Sequence, residues 1–255
     1  LLQEAGHNWA YSEFFQQFGY QDMLDYIRFA ISFSNRFGCL VNFAETHDNP
    51  RLAAKSPAWA ALRVKTAALF SVAGAFGIAN GVEWLATEKI HVHDANSLAW
   101  GSEPNLTSLI QTLTRLLNQH PAFQAQATLC IPNSFRGNAI AMLRYPPADD
   151  DSQNRPIPLT TPLLVAANPE ENQPATLEWD ISDFNPGNKT IDLVSNAVIP
   201  IRRKGHRAIL SLPPAAAYCL SAATPEPAAP EKQLSPRHWQ DLRDRVMDFI
   251  VEVKG

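Results

Sequence analysis

The chain is short of charge, of cysteine and of long apolar runs, and each shortage removes a class of protein. Only 18% of its 255 residues are charged, the formal net charge is −4, and no basic stripe interrupts that balance. Binding driven by contacts to nucleic-acid phosphates is therefore not expected. No apolar stretch approaches the roughly 20 residues that cross a bilayer. The longest candidate, "LFSVAGAFGIANGV", is too short and too rich in small residues, so no membrane partner is expected either. Three cysteines, Cys39, Cys130 and Cys219, lie far apart inside apolar stretches. They read as buried thiols of a reducing, cytoplasmic compartment and not as a disulfide framework or a metal knuckle. The chain opens on "LLQEAGHNW", without Met and without a signal-peptide pattern, which suggests a piece of a longer protein. No internal repeat is found.

What is present is a core-forming composition, 45% hydrophobic, whose style changes part-way along. Up to Phe123 there are helical periodicities joined by short apolar runs. "YQDMLDYIRFAISFSNRF" places Met23, Leu24, Ile27, Ala30 and Ile31 on one face. "SPAWAALRVKTAALFSV" starts with Ser56 as N-cap and Pro57 at the first helical position. "NLTSLIQTLTRLLNQHP" carries a third amphipathic helix that stops ahead of Pro121. The runs between them, "CLVNFA" and "AFGIAN", suit strands buried on both faces, and the alternation predicts parallel βαβ units. From 124 onward, short strand candidates such as "NAIAMLRYP", "PLLVAANP", "ATLEWDI", "TIDLVS", "HRAILSLP" and "AAYCLSA" are separated by Pro, Asn, Gly and Asp clusters. That pattern predicts an antiparallel β-sandwich. "PEPAAPEKQLSP" reads as a linker, and "PRHWQDLRDRVMDFIVEV" as a terminal amphipathic helix. The expected organisation is α/β followed by all-β: an α/β part over 1–123, a β-sandwich over 124–224, and linker plus helix over 225–255.

One stretch does not fit plain core building. "NFAETHDNPRLAA" follows the apolar strand "CLVNF" with Glu45, His47, Asp48, Asn49 and Arg51 in quick succession. Turn chemistry accommodates Asp48-Asn49-Pro50 by itself. In parallel α/β barrels, however, ligand-binding groups gather at the carboxyl ends of the strands, which is where these residues stand. The next strand, "AFGIANGVEW", also ends in a polar group, Glu83.

These residues resemble a known family. "FAETHDN" is similar to the fourth conserved region of the α-amylase superfamily of glycoside hydrolases and transglycosylases, Phe-Val-x-Asn-His-Asp, with Phe43, His47 and Asp48 retained and Thr46 in place of Asn. "AGAFGIANGVE" resembles the family's Pro-Gly-x-Pro-x-x-x-x-Gly-x-Glu strand, keeping Gly74, Gly81 and Glu83 while Ala73 and Phe76 replace the prolines. "GHNWAYSEFFQ" corresponds to the sixth strand, and "SLAWG" with the leucine-rich helix and "HPAF" to the eighth helix and its exit. The resemblance covers residues 1–123 and implies strands six to eight, the C-terminal half, of a (β/α)8 TIM barrel. The β part matches in architecture only.

The resemblance also implies a chemistry. Retaining glycoside cleavage needs a nucleophile and an acid/base. The family adds a third carboxylate that stabilises the distorted sugar, here Asp48. His47 would donate a hydrogen bond to the same sugar. Trp9 and Glu83 are further candidate substrate-binding residues, as is Arg51, which from its charge and proximity alone would orient carboxylates. The alternatives are a structural hydrogen bond for Glu83 and core or rim packing for Trp9, Tyr11, Trp84 and Trp100. The nucleophile and the acid/base belong to strands that precede "GHNWAYSEFF" and have no counterpart here. The expected function is part of an α-amylase-type enzyme acting on α-glucans or maltooligosaccharides, inactive alone and partnered by the remainder of its barrel. Alternatives are a maltosyl-phosphate-type glucan transferase and a non-catalytic sugar-binding or assembly module. No cofactor is expected. "HVHD", residues 91–94, offers alternate histidines without a third ligand and reads as loop polarity, so no metal is expected.

Overall fold

The computed structural model describes residues 6–91, 93, 98–147, 161–187 and 189–222. The linker and helix expected over 225–255 lie outside these residues.

The first part interleaves strands and helices: β1 (Trp9–Tyr11), α1 (Tyr20–Phe37), β2 (Cys39–Phe43), α2 (Leu52–Lys55), α3 (Pro57–Leu69), β3 (Phe76–Gly77) and α4 (Thr107–Gln119). The strands form a parallel sheet in the order β1-β2-β3, with Trp9 opposite Cys39, Tyr11 opposite Val41 and Phe43 opposite Gly77. Among the described residues, β1 and β3 each pair with β2 alone. Helices α1, α3 and α4 form where the periodicity predicts them. Met23, Leu24, Ile27 and Ala30 are the buried stripe of α1. Ser56 caps α3 by accepting from Trp59 N–H at 2.9 Å, with Pro57 in the first turn. α4 ends at His120, just before Pro121. α3 is buried on nearly every side, because it lies between two sheets.

The second part adds β4 (Thr128–Cys130), β5 (Arg136–Gly137), β6 (Ile140–Tyr145), β7 (Leu163–Ala167), β8 (Ala175–Asp180), β9 (Ile191–Asp192), β10 (Arg202–Lys204), β11 (Arg207–Leu212) and β12 (Ala217–Ser221). They make two antiparallel sheets, β4-β6-β7-β12-β9 and β10-β11-β8-β5. Side chains alternate across a strand, and in β6 and β7 both faces are apolar. Ala141, Leu143, Leu164 and Ala166 pack with Leu177, Trp179, Leu210 and Leu212 of the four-stranded sheet. Ile140, Met142, Leu163 and Val165 face the other way, into the cluster built by α1, α3 and α4. A single buried cluster therefore runs from Phe14 to Cys219 and spans the position, 123/124, where the sequence changes style. The four-stranded sheet ends in β10, whose Arg202, Arg203 and Lys204 are exposed. Cations on an edge strand discourage another chain from pairing with it.

One charged residue joins the two parts. Arg144 of β6 is fully buried and donates to Ala122 O (2.9 Å), Ser71 O (2.8 Å) and Leu69 O (3.2 Å) while lying 3.9 Å over the Phe123 ring. It meets the carbonyls at the end of α3, the negative pole of that helix. Burial pulls its guanidinium down to about 9. Cys219 is buried, Cys39 and Cys130 are half-buried, and all three thiols are free. No described helix is long and apolar enough to cross a membrane.

Candidate functional site

The polar stretch after β2 forms a tight turn at the carboxyl end of the parallel sheet. Asn49 N–H donates to Thr46 O at 3.3 Å, which puts His47 and Asp48 at the tip. Thr46, standing where the family pattern has Asn, donates its hydroxyl to Asn49 Oδ1 at 2.7 Å and so serves the turn itself. His47 Nε2 is 3.4 Å from Asp48 Oδ1, and their side chains are 57% and 82% exposed.

The tip borders a cleft of about 630 Å³ lined by Tyr11, Phe15 and Phe43, by Glu45 through Asp48, by Ile78 through Asn80, and by Ile90 and Leu98. Its volume is in the range of small-molecule sites, and its make-up is an apolar, aromatic lining with a few convergent polar groups. Tyr11 and Phe43 rings are 5.2 Å apart. Gly77 makes room here, since a Cβ on it would lie 2.6 Å from the Phe43 ring.

The predicted site residues separate in space. His47 and Asp48 line the cleft. Trp9 does not: it opens β1 opposite Cys39 and meets Tyr11 edge-on at 5.8 Å. Tyr11, two residues further along the same face and so about 6.6 Å nearer the carboxyl end, takes the position at the cleft. The period of two shows which face a side chain shares, not how far along the strand the ligand sits. Glu83, in the 3-10 turn Val82–Trp84, accepts from Gly81 N–H at 2.8 Å and is not part of the cleft lining. Trp84 and Trp100 pack on each other at 5.4 Å, also away from it.

Arg51 is 2% exposed, so its guanidinium is turned inward. Its Nε lies 3.0 Å from Glu45 Oε1 and donates to Ala86 O at 3.4 Å, and its Nη2 donates to Asn80 O at 2.9 Å. Glu45 Oε2 accepts from Leu52 N–H at 2.7 Å. Burial pushes the Glu45 carboxyl up, against the pull of the Leu52 N–H and of Arg51, while the Glu83 carboxylate adds to the rise. Glu45 was legible as part of the polar run but not as a buried partner of Arg51. The signal lay in its spacing, two residues past a strand end with an arginine six positions on. Among the described residues, no three His, Cys, Asp or Glu side chains group as metal ligands.

No family model matches the sequence, and no curated protein sequence matches it. Solved structures do match. The chain superposes on a noncanonic maltogenic α-amylase from Thermotoga neapolitana with a TM-score of 0.59 at 18% identity, covering 85% of this chain and 51% of that one. An α-amylase from Anoxybacillus gives 0.59 at 15% identity, with 88% and 50% covered. An α-amylase from Geobacillus thermoleovorans, complexed with acarbose, gives 0.53 at 14% identity, with 82% and 46% covered. The chain has the fold of part of an α-amylase. It spans about half the length of these structures. At such identities the likeness speaks for the fold of the α-amylase, and the site rests on its own geometry.

Proposed function

We propose that the chain is part of an α-amylase-type retaining enzyme that hydrolyses or transglycosylates α-glucosidic bonds, and that His47 and Asp48 are its sugar-contacting groups. The observation that carries this reading is the exposed His47–Asp48 tip beside an aromatic-lined cleft at the carboxyl end of a parallel sheet. An aromatic ring such as Tyr11 offers a sugar a flat apolar face. Asp48, open to the cleft, gains most when positive charge develops on a distorting sugar ring, which is differential binding of the transition state. His47 donates to a neutral hydroxyl, a weaker contribution. Arg51 and Glu83, engaged with the protein, serve by position.

On this reading the nucleophile and acid/base come from the remainder of the barrel. The surface of the first part supports such a partner. Trp9 and Tyr11 are exposed on one face of the parallel sheet, and Phe29, Phe33 and Phe37 form a partly exposed ring ladder along α1 with spacings of 5.5 and 5.2 Å. A further strand beside β1 with its helix against α1 would cover both.

The test is titration of the chain with maltotriose and with cellotriose, followed by amide NMR, alongside turnover in a complete parent enzyme. Shifts confined to Tyr11, His47, Asp48 and their neighbours, seen with maltotriose only and lost in Asp48→Ala, are expected. In the parent, Asp48→Ala lowers turnover by several orders of magnitude, on the scale of lost transition-state stabilisation, and His47→Ala by less. Equal response to the α- and β-linked sugars, or full turnover in Asp48→Ala, defeats the reading. Maltotriose binding by the chain, with a parent that turns over nothing, points instead to the sugar-binding module.

A further inference from the structure

His47 and Asp48 sit on a turn that packing does not hold. On one side of it lies the cleft of about 630 Å³, bordered by Thr46, His47 and Asp48. Beyond it lies a second cavity of about 200 Å³, bordered by Asn49, Pro50 and Arg51 together with Phe18 and Trp59. Glu45 borders both. A segment with open space on two sides and two mostly exposed side chains at its tip has few dispersion contacts to fix it. The bonds within the turn, Asn49 N–H to Thr46 O and Thr46 hydroxyl to Asn49 Oδ1, fix its shape and not its placement.

We infer that the Glu45–Arg51 pair is a clasp that places the His47–Asp48 tip at the cleft, making both of them positioning residues for the sugar contact. This rests on the reading that His47 and Asp48 meet the sugar. The two members flank the turn in sequence and close its base at 3.0 Å, both almost wholly buried. Glu45 also takes the Leu52 N–H, which ties the turn's exit to the start of α2. Arg51 reaches in the other direction, to Asn80 O and Ala86 O of the segments after β3. The planar fork of arginine allows one side chain to serve Glu45 and both carbonyls; a lysine ammonium has no such reach. Gly81 is the complement of this arrangement. Its φ is +95°, and a Cβ there would lie 2.5 Å from Arg51 Nη2. The clasp thus sets the β2 turn against the β3 loop, which contributes Ile78, Ala79 and Asn80 to the same cleft.

The experiment compares Glu45→Gln, Arg51→Gln and Arg51→Lys with the unsubstituted chain by amide hydrogen exchange and maltotriose titration. Glu45→Gln is nearly isosteric and retains an acceptor for Leu52 N–H, so it keeps the comparison open if an Arg51 variant fails to fold. Exchange at Leu52 N–H, which bonds Glu45 across the base of the turn, should quicken about tenfold or more in the two Gln variants, as expected for a loop released to local opening. Exchange at Asn42 and Cys219, whose N–H groups bond Ala75 O and the Asp192 carboxylate, should stay as it is. Maltotriose affinity should fall about tenfold with the turn, and Arg51→Lys should restore part of both, since it keeps the charge but not the fork. Unchanged exchange at Leu52 overturns the clasp whatever happens to affinity. Faster exchange with unchanged maltotriose affinity also overturns it, because the tip would then need no placing. Faster exchange in the variants, with no maltotriose bound by any form, upholds the clasp and removes the glucan reading alone.

Discussion

The two sheets that pack on α3 treat their faces differently. The five-stranded antiparallel sheet is filled on both sides, by the four-stranded sheet on one and by the helices on the other. Among the described residues, the parallel sheet is filled on one side only. Leu40 and Asn42 of β2 are buried toward the helices, whereas Val41 and Phe43 are half-buried and Tyr11 beside them is 67% exposed. Parallel sheets are ordinarily covered on both faces, while an antiparallel sheet can stand with one face in water. Here the usual assignment is reversed. A finished core reads as structure, and an unfinished one as a place where something else belongs, whether ligand at the strand ends or protein along the strand bodies.

The sharpest way to break the filled side is at Arg144. Replacing it by Ala removes three donors from the buried carbonyls of Leu69, Ser71 and Ala122 and leaves a void against Phe123. Losing charge-assisted hydrogen bonds and orphaning their acceptors should cost about 3 kcal/mol or more. Urea denaturation measures it. A loss below about 1 kcal/mol, the scale of one ordinary hydrogen bond, would mean that the junction between the two parts is not held there.

Arg144 also shows what the sequence withholds. "NAIAMLRYP" announces a strand, and β6 (Ile140–Tyr145) forms there, but nothing beside Arg144 marks it as a buried residue. It is buried because the strand has a second covered face, and that face comes from α3 and from Ala122, far away in the chain. Helices α1, α3 and α4, Ser56 as cap, and the parallel order of β1, β2 and β3 were legible, since period, capping and strand–helix alternation are local signals. β4, β5 and β10 were not foreseen. All three have only two or three residues, too few to show a period; β5 is "RG", and β10 is "RRK", whose charges suit an edge and hide a strand. Within the site, His47 and Asp48 were legible as an unexplained polar run at a strand end. The inward turn of Arg51 and the placement of Tyr11 ahead of Trp9 depend on the neighbouring β3 loop and on distance along the strand. Neither is written in the residue order near them.

The open side can be sharpened by taking its apolar groups away. The combined variant Trp9→Ser, Phe29→Ser and Phe37→Ser replaces rings that are exposed in the structure. Each such change should alter stability by no more than about 0.5 kcal/mol, the usual range for surface sites. Self-association is another matter, because an uncovered strand edge beside exposed rings invites a second chain. Sedimentation velocity across a concentration series should show the unsubstituted chain associating and the variant remaining monomeric. A large loss of stability without change in association would place those rings in a packed core.

The smallest effect expected lies at the seam between the two sides, where a titrating group meets Arg144. His120 Nδ1 accepts from Ala122 N–H at 3.1 Å, so the ring must be neutral at that nitrogen. Burial, with the Arg144 charge acting in the same sense, holds the imidazole below its ordinary pKa of 6.5. The native chain then binds fewer protons than the unfolded chain once pH drops past the unfolded value. Stability from this group is therefore complete above pH 6.5 and is lost as pH falls toward the depressed folded value. His120→Asn keeps an acceptor of the kind favoured at a helix N-terminus and does not titrate. Urea midpoints of the two proteins, followed from pH 8 down to pH 5 across that window, should converge as pH falls. Parallel curves would show that His120 is as free to protonate in the fold as outside it, and that Arg144 does not reach it.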